Sequence, residues 1–135
     1  MFKKNAPKPS KPQTRIDSLI GAGSRIEGNV SFSGGLRIDG EVVGDVIASP
    51  EKPSTLVLSE QARVEGAISV SHLVINGTIV GPVNCSEYVE LQAKARVTGD
   101  LAYSTIEIHL GAVVQGRLIH QAVTKNIELK LASSN

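Results

Sequence analysis

A chain of 135 residues and 14.2 kDa has room for one domain and little more. Hydrophobic residues make up 41% of it, which excludes wholesale disorder, and no apolar run approaches the roughly 18–20 residues of a helical membrane span. The net charge of +1 hides a basic lead-in and a mildly acidic body, which excludes the body as a nucleic-acid platform.

Aromatics are only 3%, with two Phe, two Tyr and no Trp, so the stacking surfaces of single-strand binders are missing too. Valine and isoleucine are abundant, which points to a thin aliphatic core built from strands. The single cysteine, Cys85, precludes an intramolecular disulfide and fits a reducing compartment. The start of the chain lacks the apolar stretch of a secretory signal, so an intracellular protein is expected.

In chain order, residues 1–17 come first. They hold Lys3, Lys4, Lys8, Lys11 and Arg15 against Asp17, and also Pro7, Pro9 and Pro12. Prolines at that density stop helices and sheets, so an extended, flexible tail is expected. Residues 18–122 follow and carry a repeat, and residues 123–135 form a short C-terminal tail or partial cap.

The repeat is aliphatic, any residue, glycine, any residue, aliphatic, and it occurs six times. Its glycines are Gly28, Gly44, Gly66, Gly81, Gly99 and Gly116. The longest interval, between Gly44 and Gly66, contains Ser49-Pro50-Glu51-Lys52-Pro53-Ser54, which reads as a loop inserted into one repeat. Ahead of the later glycines lie alternating aliphatic pairs: Leu36/Ile38, Leu56/Leu58, Leu73/Ile75, Val89/Leu91 and Ile106/Ile108.

A repeat of this length with internal alternation predicts a β-solenoid of about six windings, each made of short strands joined by turns. Alternate residues point inward and stack on their equivalents in neighbouring windings. The glycines share the inward parity, so a Cβ there is expected to crowd the lumen or to meet a φ that only glycine reaches cheaply. Asp39-Gly40 and Asn76-Gly77 mark tight turns, whereas Ala62, Ala95 and Ala112 end longer ones, predicting windings that alternate in type. An antiparallel sandwich with evenly spaced turns is the competing fold.

Catalytic and metal-binding motifs are absent. There is no nucleotide-cradling Gly-x-x-x-x-Gly-Lys-Ser/Thr loop, and Gly21-Ala22-Gly23 lacks the third glycine of a dinucleotide fingerprint. His72, His109 and His120 fall at three different places in the winding, so no shared metal ion or general base is expected within one chain. His109 is expected to face outward and His120 inward, and Cys85 should be a small core hydrophobe. Hexapeptide acyltransferases also have windings of similar length, but their aliphatics recur every six residues, not every two. A trimeric enzyme of that kind, with His72 or His120 as base, is the alternative function. An ice-binding surface would need a threonine ladder, and the threonines here are scattered.

A solenoid leaves two open ends that present apolar side chains and unpaired backbone groups. No helix in the sequence suggests a cap, so end-to-end stacking through Ile20, Ile26, Val114 and Leu118 is expected. A soluble monomer with an end blocked by residues 124–135 is the other outcome.

The run Leu36-Arg37-Ile38-Asp39-Gly40-Glu41-Val42-Val43-Gly44-Asp45-Val46, with Ala95 to Leu101 and Ile106 to Gly116, resembles the bactofilins over residues 18–122. The opening Met1-Phe2-Lys3-Lys4 is similar to that of many members. The resemblance implies an all-β, single-domain, right-handed parallel β-helix. It also implies a cytoskeletal protein, not an enzyme, that polymerises without nucleotide or any other cofactor into non-polar filaments. Many bactofilins act at the inner membrane as scaffolds for cell-shape and cell-wall enzymes. Met1, Phe2, Lys3 and Lys4 are accordingly the expected contacts with an anionic membrane, and no metal or catalytic site is implied. One departure stands out: Val114 lies where the family often has a phenylalanine in its last winding.

Overall fold

The computed structural model describes residues 15–122. Met1, Phe2, Lys3 and Lys4, and the C-terminal segment from residue 123, lie outside the described residues. Within them every strand pairing is parallel and no helix occurs.

Three strand segments make each winding. The first winding contains β1 (Ser18–Ile20), β2 (Arg25–Glu27) and β3 (Val30–Phe32). The second contains β4 (Gly34–Ile38), β5 (Glu41–Val43) and β6 (Val46–Ala48). The third begins with β7 (Ser54–Leu58) and β8 (Arg63–Glu65), and ends in the first half of β9 (Ile68–Ile75). The rest of β9, with β10 (Thr78–Val80) and the start of β11 (Val83–Leu91), forms the fourth. The fifth takes the end of β11 with β12 (Arg96–Thr98) and β13 (Leu101–Tyr103). The sixth is β14 (Thr105–Ile108), β15 (Val113–Gln115) and β16 (Leu118–His120). One face is the six-stranded sheet β2-β5-β8-β10-β12-β15, and a ten-stranded sheet covers the remainder because β9 and β11 run through a corner.

Register explains the core. Ile26, Val42, Val64, Ile79, Val97 and Val114 pair in one continuous column, and Ile20, Ile38, Leu58, Ile75, Leu91 and Ile108 in another. Each interior member touches its equivalents above and below, so these columns are fully buried between the second and fifth windings. Cys85 is one of these core residues; burial pushes its thiol up to about 12, while its Sγ lies 2.9 Å from the Tyr88 carbonyl oxygen. Because the thiolate is the reactive form, the native protein should resist iodoacetamide and react only when unfolded, as mass spectrometry would register. Rapid native alkylation would place the thiol at the surface.

The motif glycines form a column of their own, but a Cβ would not point into the lumen. It would point along the stack. At Gly66 (φ 155°) it would land on the carbonyl oxygen of Gly44, one winding earlier. The constraint is therefore the close approach of successive backbones as well as the φ. The turns pack by a related rule. Gly77 sits against the carbonyls of Ser59 and Ala62, so a tight turn nests under the longer turn of the winding before it. Alternation of turn types holds through the first five windings and then stops, because the fifth and sixth both use the longer turn, at residues 92–95 and 109–112.

Residues 49–53 of the inserted segment are a loop, as its prolines suggest, and Ser54 opens β7. Its return is pinned by buried Ser54, whose backbone N–H donates to Ser71 Oγ at 2.8 Å, while Ser71 Oγ donates to the Ser54 carbonyl at 2.9 Å.

Candidate assembly interface

The two end windings carry the same inward residue types as the interior, but with one neighbour in place of two. Leu101 and Leu118 pair in register; Leu101 is fully buried and Leu118 is 45% exposed. Leu91 and Ile108 show the same contrast, with Ile108 48% exposed. At the opposite end Ile20 and Ile26 are half-buried, and Ile16 and Leu19 are exposed. Val114 is half-buried in the last winding. Thus Ile20 and Ile26 lie on one end of the stack, and Val114 and Leu118 on the other.

Four exposed residues of the last winding were not among the contacts expected from the sequence: Ile108, Leu110, Val113 and Ile119. Leu110 projects almost wholly into solvent from a turn where the third and fifth windings place Glu60 and Ala93. That substitution of leucine for polar or small residues was the available signal.

Backbone pairing repeats the pattern. The strands β14, β15 and β16 pair with the fifth winding, and β1, β2 and β3 with the second; among the described residues nothing pairs with their other edges. Each end thus offers a row of strand edges beside apolar side chains. Leu118 and Ile108 are already about half buried, so covering the rest against another surface is worth about 1 kcal/mol apiece. What such a surface can do chemically is pair strand edges and bury apolar side chains.

The comparisons with known proteins decide the family. The model described as "Bactofilin: Polymer-forming cytoskeletal" matches residues 18–119, the span of the six windings. The chain belongs to the bactofilin family. It is 28% identical over 102 residues to bactofilin BacP of Myxococcus xanthus (strain DK1622), which covers 76% of this chain and 41% of BacP. It is 29% identical over 102 residues to bactofilin BacO of the same organism, covering 76% of this chain and 78% of BacO. The chain therefore spans less than half of one relative and most of the other. No solved structure matches with significance. The family's description is of a polymer-forming cytoskeletal protein, which points away from an enzyme.

The polar groups of this bactofilin fit a structural reading. His72 is buried, its Nδ1 2.9 Å from Ser71 Oγ and its Nε2 3.7 Å from Glu87 Oε1. His120 has the inward parity expected of it, yet it is exposed because no described residue stacks above it. Its ring meets Tyr103 edge-on at 5.7 Å. His109 faces outward, beside Glu90 and Glu107. The three histidines do not converge, so the two put forward as alternative bases, His72 and His120, sit in different columns and windings.

Neighbouring windings are also clamped from outside. Arg117 donates its backbone N–H to Asp100 Oδ1 and a guanidinium N–H to Asp100 Oδ2, both at 3.0 Å, which holds the Asp100 carboxyl below its ordinary range. Within the second winding the Arg37 guanidinium lowers Asp39 by a side-chain hydrogen bond, with help from Ser59 of the third winding. A lowered folded-state carboxyl contributes stability that is present above its ordinary range and fades as pH falls. Both pairs are solvent-exposed, so the contribution is small.

Proposed function

We propose that the protein is a non-catalytic filament subunit that stacks end to end, without nucleotide, through its two terminal windings. The observation that carries this reading is the contrast between buried Leu101 and exposed Leu118, chemically alike and one winding apart. Another copy placed against the end would supply the missing neighbour and continue the strand pairing. Six windings at about 4.8 Å make a subunit of roughly 30 Å along the axis. Like ends meeting like ends, and hence a non-polar filament, follow from the family resemblance. The purified protein should sediment as polymer after nucleotide has been stripped enzymatically. Strict dependence on added nucleotide would overturn the reading.

The proposal extends to the inner face of the cytoplasmic membrane. Residues 1–17 carry five basic side chains against Asp17 alone, with Phe2 as an apolar element. Among the described residues no helix is long and apolar enough to cross a membrane, so attachment would be peripheral. Phe2 buried at a lipid interface supplies about 1.5–3 kcal/mol, and each lysine near an anionic leaflet about 1 kcal/mol. One tail holds weakly, and a filament that displays many holds firmly, so assembly and membrane binding reinforce each other. Cell-wall enzymes are the proposed clients, recruited along the filament's sides. Phe2→Glu should release the protein from anionic liposomes in a co-sedimentation assay while filaments persist. Undiminished liposome binding would remove Phe2 as the anchor.

A further inference from the structure

Glu90 of β11 and Glu107 of β14 stand directly opposite each other in register, on the outer side of the fifth and sixth windings. Like charges in that position repel, so the pair calls for a cation. His109, two residues beyond Glu107, brings Nε2 within 3.0 Å of Glu90 Oε2 and 3.4 Å of Glu107 Oε2. The three donor atoms lie within 4.8 Å of one another. Even a protonated imidazole would leave one carboxylate charge unmatched.

The neighbours orient this group. Tyr88 donates its hydroxyl to Glu107 Oε1 at 2.6 Å, and that carboxylate pushes the phenol up to about 12. Gln92 Nε2 donates to Glu90 Oε2 at 3.4 Å. Hydrogen bonds of this kind fix carboxylates that also bind a metal.

We propose that Glu90, Glu107 and His109 bind a divalent transition-metal ion of the zinc type, which ties the sixth winding to the fifth. Nitrogen and oxygen donors about 2.1 Å from a metal are separated by about 3.0 Å at a right angle and about 3.4 Å at the tetrahedral angle. The two histidine–glutamate separations have these values, and the two carboxylate oxygens, within 4.8 Å of each other, would have to settle at a similar spacing to share the ion. An imidazole with two carboxylates suits zinc better than magnesium or calcium, which take oxygen ligands. The remaining coordination positions open to solvent, since His109 and Glu107 are exposed.

The test is a calorimetric titration of the full-length, tag-free protein with zinc chloride in a non-chelating buffer, accompanied by thermal melts. One zinc ion per chain is expected, with a zinc-dependent rise in melting temperature. His109→Ala should weaken binding by at least tenfold and remove the rise, and Tyr88→Phe should weaken binding by about tenfold. His120→Ala should leave both readouts unchanged. Circular dichroism establishes that each variant is folded. The proposal falls if no binding occurs below millimolar zinc. It falls equally if His109→Ala binds as well as the wild type, or if His120→Ala is the variant that loses the ion.

Discussion

Gly66→Ala should destabilise the protein by about 4 kcal/mol or more, whereas Gly28→Ala should cost only about 1–2 kcal/mol. Both glycines have φ between 135° and 155°, so both substitutions carry backbone strain. They differ in what the new methyl meets. At Gly66 it lands on the Gly44 carbonyl, inside a ladder paired on both sides that cannot spread locally. At Gly28 no atom lies within 4 Å, because no described winding precedes it. Assembly would inflate the stability of both, so the comparison belongs in a non-polymerising background, read by denaturant unfolding. Equal losses at the two positions would contradict the glycine column as the rule that spaces the windings. Gly28→Ala carries a second consequence. Its methyl points out of the first winding's open end, so this mild folding variant should also slow polymerisation.

Leu118→Arg should raise the concentration needed for polymerisation by at least tenfold while leaving β-rich circular dichroism intact. Leu118 is already 45% exposed in one chain, so a charge there is solvated before assembly and costs the fold little. Against a second copy the same guanidinium must be stripped of water beside apolar side chains, at a cost of several kcal/mol. Each 1.4 kcal/mol is a factor of ten in the assembly equilibrium. Glu65→Arg is the control: Glu65 lies on the outer face of the third winding, paired with Arg63 at 2.7 Å, away from both ends. It should polymerise normally. If Glu65→Arg blocks assembly and Leu118→Arg does not, the contacts run through the sides of the solenoid.

Much of this was legible in the sequence because each winding repeats the same burial problem. The inward aliphatics and the loop after Ser49 follow from period and proline chemistry alone. Other features depend on neighbours distant in sequence. The glycines declare themselves as special, but only the stack reveals that Gly66 abuts the Gly44 carbonyl and leaves the lumen free. His120 has core parity and is nonetheless exposed, since parity cannot tell an interior winding from a terminal one. The group of Glu90, Glu107 and His109 was missed for a related reason. Glu90 is far in the chain from Glu107 and His109, and it joins them only when register places it opposite Glu107.

The central claim is that solenoid axes join end to end along the filament. Diffraction from aligned filaments of the full-length protein, assembled without nucleotide, tests it most directly. Strands stacked along the filament should give a reflection at about 4.8 Å on the meridian. The same reflection on the equator would mean that the solenoids lie across the filament and associate through their sides, which would contradict the account.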